Sequence, residues 1–106
     1  MPKFLIQAEY TAEGLKVLMK DNAAGRTAAV KKAVASVGGK LDALYWVLGE
    51  DDAVSIVELP DAESAAALGM ALGASGLVRT KTTRLLTADE VDVALGKTVT
   101  YRASGN

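Results

Sequence analysis

The spacing of apolar residues changes period several times along this chain, and the order of the changes leaves few folds open. Lys3 to Tyr10 alternates, with Phe4, Ile6, Ala8 and Tyr10 on one side and Leu5, Gln7 and Glu9 on the other, the period-2 pattern of a strand. Thr11 is placed to cap a helix in which Leu15, Leu18 and Met19 recur at three- and four-residue spacing. Asp21-Asn22 and Gly25 interrupt that pattern. Helical periodicity resumes from Arg26 with the apolar stripe Val30, Ala33, Val34 and Val37, and Gly38-Gly39 ends it. Leu41 to Leu48 and Ala53 to Leu59 are rich in branched and aromatic residues and flank Gly49-Glu50-Asp51-Asp52, which predicts a hairpin. Pro60-Asp61 stops the second of these strands and caps an alanine-rich helix over Ala62 to Ala74. Val78 to Leu86 reads as a fourth strand. Thr87-Ala88-Asp89-Glu90 is a capping box that opens a short helix closed by Gly96.

That order is two strand–helix–strand units in succession, an α+β ferredoxin-like βαββαβ fold with a four-stranded antiparallel sheet and a short C-terminal helix. Right-handed crossovers put both main helices on one face of the sheet and leave the other bare. A chain of 106 residues supports one core. A single domain over residues 1–96 is expected, with 97–106 as a flexible or partner-docking tail. The strand over Leu41 to Leu48 is apolar on both parities, where a sheet wetted on one side shows clean polar alternation. A second copy covering the bare face is therefore expected, giving a homodimer or higher oligomer built sheet to sheet.

The residues that carry a resemblance now stand in order. They are Leu48-Gly49-Glu50-Asp51-Asp52-Ala53-Val54 with Val57-Glu58-Leu59-Pro60-Asp61, Thr11 and Gly14, Arg26, Gly38-Gly39-Lys40-Leu41, and Val78-Arg79-Thr80 with Thr82 and Arg84. Over Phe4 to Glu90 the chain resembles the GYD domain family of small bacterial proteins. Where the family name expects Tyr stands Asp51, while Gly49 and Asp52 remain. The resemblance implies a dimeric α+β barrel and leaves the activity open.

Composition removes whole classes of chemistry. The chain has no Cys and no His, so disulfides, thiol nucleophiles, imidazole bases, His-ligated haem and the usual zinc sites are excluded; no metal and no cofactor are expected. Twelve Lys and Arg against 13 Asp and Glu leave a net charge of −1, which attracts neither nucleic acid nor an anionic membrane. The strand over Ala53 to Leu59 also lacks the stacking aromatics of an RNA-recognition sheet. The longest uncharged run, Ser64 to Val78, is too short to span a bilayer. Met1-Pro2-Lys3 runs directly into a strand without an apolar leader, so a cytoplasmic setting is expected.

Carboxylates, Tyr, Lys and Arg remain as candidate chemistry. Gln7 and Glu9 lie on the bare face, where Glu9 is either a base or ligand anchor or a carboxylate paired with an Arg. Glu58 is the second candidate base, with an ion pair to Arg79 or Arg84 as its structural alternative. Tyr45 and Trp46 are adjacent, so only one of them lines a cavity between sheets. Asp51 and Asp52 read as turn residues bonding to nearby backbone amides. Arg79, Lys81 and Arg84 form a cationic stretch suited to an anionic ligand or to guarding an edge strand. Gly69, Gly73 and Gly76 invite a phosphate-loop reading, but Gly73 and Gly76 lie where a helix ends, and close helix–sheet packing is the better account. These residues suggest a small-molecule-binding or regulatory oligomer with an intersheet pocket of Gln7, Glu9, one of Tyr45 and Trp46, and Arg79. The alternatives are a cofactor-independent oxygenase or isomerase using Glu9 or Glu58 as base, and a purely structural oligomer.

Overall fold

A computed structural model describes residues 1–103. The elements are β1 (Lys3–Tyr10), α1 (Ala12–Ser36), β2 (Lys40–Trp46), β3 (Ala53–Glu58), α2 (Ala62–Ala74), β4 (Val78–Leu85) and α3 (Ala88–Leu95). All strands pair antiparallel in the order β2-β3-β1-β4, so the α+β ferredoxin-like arrangement expected from the apolar periods is the one formed.

The strands end slightly earlier than their apolar runs. β2 stops at Trp46 because the Val47 amide already closes the hairpin onto Asp52 O at 2.8 Å, leaving Leu48 fully exposed in the turn. β3 stops at Glu58, before Pro60, and the Leu59 amide bonds instead to Pro2 O at 3.0 Å. β2 carries an irregularity between Leu41 and Ala43, which keeps Asp42 out of the ladder and within 2.7 Å of Lys3 Nζ.

The interruption in the first helix is a break in one 25-residue element: Asn22 has φ 63° and ψ 176°. Asn22 Oδ1 accepts from the Gly25 amide at 3.0 Å, so the residue that ends one half caps the next. Thr11 caps the first half through the Gly14 amide, and Asp61 caps α2 through the Ser64 amide.

Phe4 and Ile6 of β1, Val57 of β3 and Leu59 after it, Val34 of α1, and Ala65 and Leu68 of α2 form the core between sheet and helices. Each fully buried Val or Leu stabilises the fold by about 1.5–3 kcal/mol. Gly14 and Gly39 set how closely the layers approach. A Cβ on Gly14 would lie 1.9 Å from Leu77 O, and one on Gly39 would lie 2.6 Å from Glu58 O. The close-packing expectation fails at Gly73 and Gly76, where an added Cβ would meet nothing within 4 Å, and a Cβ on Gly69 would be in ordinary contact with Thr80 Oγ1 at 3.8 Å.

α3 stands away from this core, with Val93 and Leu95 exposed and only sparse contacts to other elements. The molecule measures 60 × 31 × 23 Å with a radius of gyration of 17.1 Å, against about 13 Å for a compact domain of this length. Residues 97–103 form neither helix nor strand; the last three positions of the expected tail lie outside the described residues. No helix among the described residues is long and apolar enough to cross a membrane.

Candidate functional site

Residues directly opposite in a ladder share a face of the sheet, so the register sorts the candidates into rows. Tyr45, Val54, Gln7 and Lys81 form one row across all four strands on the face away from the helices. Ala43, Ile56, Leu5 and Thr83 form the next row on that face, and Glu9 lies opposite Arg79 at its upper end. Trp46, Ala53, Ala8 and Thr80 form a row on the other face, beneath the helices. Gln7, Glu9, Tyr45 and Arg79 therefore share the bare face and Trp46 does not.

Several local pairings differ from the expected ones. Glu58 lies 3.6 Å from Lys3 Nζ and does not pair with Arg79 or Arg84, because β1 stands between β3 and β4. Arg84 has the parity of Phe4, not of Arg79 and Lys81. It sits 5.7 Å from the Phe4 ring and pairs with Glu90 at 2.7 Å, which divides the cationic stretch between two faces. Glu9 and Glu58 are about 20 Å apart along the strands, so they do not act on one substrate atom together.

The hairpin aspartates do more than shape their own turn. Asp52 Oδ2 accepts from the Tyr10 amide at 2.8 Å, tying the hairpin to the end of β1. Asp51, 9% exposed, accepts from Gln7 Nε2 at 2.8 Å through Oδ2, and its Oδ1 faces Lys81 Nζ at 3.2 Å. The Asp51 carboxylate raises the Lys81 pKa above its usual value, with Glu50 and Glu9 adding to it. A carboxylate from the loop thus knits β1 to β4 on the bare face, at the position where the resemblance expects a phenol.

The concave site lies on the other side, between sheet and helices. Its floor is the row Trp46, Ala53, Ala8 and Thr80, with two methyl side chains in the centre, so the sheet is low there and a cavity of about 70 Å³ remains. Val30, Ala33 and Val34 of α1 and Leu68 and Leu72 of α2 roof it. Its polar groups are few: Tyr10, Arg26, Ser55, Thr80 and the indole N–H of Trp46, which donates to Tyr10 Oη at 3.0 Å. Arg26 is loosely held, 3.5 Å from Asp21 Oδ2, and its side chain is mostly buried. Among the described residues that line the cavity there is no carboxylate.

Tyr10, Arg26 and Thr80 did not stand out as cavity residues from the sequence, although two signals were present. Arg26 precedes Val30, Ala33 and Val37 by four, seven and eleven positions, the spacing of one helix face. Ala8 and Ala53 are the small members of otherwise bulky strands. The family model described as GYD domain matches residues 4–95. No curated protein matches the chain.

Proposed function

The chain belongs to the GYD domain family, and we propose that it is a cytoplasmic, homodimeric small-molecule-binding module whose ligand enters the cavity between helices and sheet. The observation that carries this reading is the cavity itself, an apolar hollow with a few convergent polar groups, the usual form of a small-molecule site. Binding is favoured over proton abstraction because the candidate bases, Glu9 and Glu58, lie on the opposite face of the sheet.

A second copy is the partner that the bare face fits. Leu5, Val54, Ile56 and Tyr45 give it an apolar centre, with Tyr45 67% exposed in the single chain. Glu9 and Arg79 form no ion pair within the described residues. A two-fold axis through this face lets each copy offer Glu9 to the other's Arg79.

Native mass spectrometry of freshly purified protein tests both parts. The expected spectrum is a dimer carrying one small molecule per protomer, with the ligand lost in Ala8→Leu, which fills the floor, and the dimer lost in Ile56→Lys. A bare monomer unaffected by either substitution overturns the reading.

A further inference from the structure

The geometry points to a short aliphatic monocarboxylate as the ligand class of the helix–sheet cavity, an inference that rests on the binding role given above. The hollow is small. A hollow of about 70 Å³ is half the roughly 150 Å³ that admits benzene, so the enclosed part of the ligand is a short, branched chain and not an aromatic ring. Its walls are largely apolar. Ile6, Leu44, Val30 and Leu68 offer only hydrocarbon, and a polar chain buried among them loses its water without compensation.

The hydrogen-bond inventory then fixes the head group. Tyr10 Oη already accepts from Trp46, so its O–H is left to donate. Arg26 carries five N–H donors, and its one carboxylate neighbour, Asp21, stands at 3.5 Å, beyond good hydrogen-bond length. Thr80 adds a hydroxyl. Lining side chains thus bring surplus donors and one positive charge, with no carboxylate and no amide among them. An ammonium ligand is repelled by the guanidinium. An alcohol satisfies one donor and leaves the guanidinium with only its long contact to Asp21. A carboxylate takes the guanidinium fork with two oxygens and still accepts from Tyr10, the strongest pairing open to this donor set.

Trp46 is the only tryptophan in the chain and lines the cavity, so its fluorescence reports occupancy directly. Isobutyrate, isobutanol, isobutylamine and benzoate are titrated into the full-length protein, stripped of any co-purified ligand, at constant ionic strength. The expected result is saturable binding of isobutyrate, tighter than the other three. Arg26→Gln weakens it about tenfold or more and leaves isobutanol unchanged. Tyr10→Phe serves as the second variant should Arg26→Gln fail to fold, and it weakens isobutyrate more than isobutanol. Equal binding of isobutanol or isobutylamine, or indifference to both substitutions, overturns the carboxylate assignment while leaving a working pocket. Silence of Trp46 toward all four probes, with no co-purified molecule displaced by Ala8→Leu, overturns the pocket as well.

Discussion

Trp46 Nε1–H donates to Tyr10 Oη across 3.0 Å, joining the last residue of β2 to the last residue of β1 although β3 separates the two strands. The bond reaches across because Ala53 and Ala8, which lie between, raise no side chain in its way. Tyr10→Phe returns the indole N–H to water, since Trp46 is partly exposed, and is expected to cost about 1 kcal/mol in chemical denaturation. A double-mutant cycle with Trp46→Phe should give a coupling of about 0.5–1 kcal/mol; a coupling of zero would show that the bond contributes nothing to stability.

Gly14 and Gly73 predict opposite outcomes for the same substitution. Gly14→Ala drives a methyl group into Leu77 O, a backbone atom that cannot swing aside, and should destabilise the domain by about 3 kcal/mol. Gly73→Ala adds a methyl group in open space within α2 and should stabilise by about 0.5–1 kcal/mol. Thermal melts of the two variants beside the parent protein check both signs.

Glu90 anchors the start of α3. The Arg84 guanidinium first, and then the Thr87 amide, hold its carboxyl down to about 2 from an ordinary 4.5. A depressed carboxylate contributes stability that is fully present above pH 4.5 and is lost as the pH falls toward 2. The Glu90 carboxyl resonance should therefore titrate near 2, and the α3 amides should lose their helical shifts over the same window. In Arg84→Gln the midpoint should climb toward 4.5. An unmoved midpoint would assign the shift to the cap alone.

Asp51→Ala removes the acceptor for Gln7 and the counter-ion for Lys81 together. Because Asp51 is buried, the expected loss is about 1–2 kcal/mol by denaturant titration. The Lys81 ammonium should fall back toward its usual 10.5, since the carboxylate that raises it most is gone while Glu50 and Glu9 remain. In the parent, the stabilisation from this pair is present below pH 10.5 and declines as the pH rises beyond it. An NMR titration of the Lys81 side chain follows the change.

Local periodicity was enough for the architecture. Alternation marked β1 over its whole length, and the caps at Thr11, Asp61 and Thr87 all form as their residue types require. The site was less legible because it depends on which strands become neighbours. The sequence allows Glu58 to pair with Arg79 or Arg84, which stand two strands away, since parity is visible along a strand but strand order is not. The hairpin aspartates look local in sequence because nothing near them shows that their turn folds back against Gln7 and Tyr10. The cavity is hidden in the sequence for a related reason. It is made by what Ala8 and Ala53 lack, and two small residues far apart in sequence become one hollow only after β1 and β3 pair.

The break at Asn22 has a mechanical consequence. An unbroken helix of 25 residues would run about 37 Å, well past strands of eight residues that span about 27 Å. Arg26 stands in the segment beyond the bend, four positions after Asn22. Arg26 shares its segment and face with Val30, Ala33 and Val34, so the packing of that stripe, and not the length of the corner, fixes where the guanidinium stands. The bend therefore uncouples the two halves of the helix: a one-residue deletion at the corner should change how the first half leaves the sheet while Arg26 stays in step with the residues that roof the hollow.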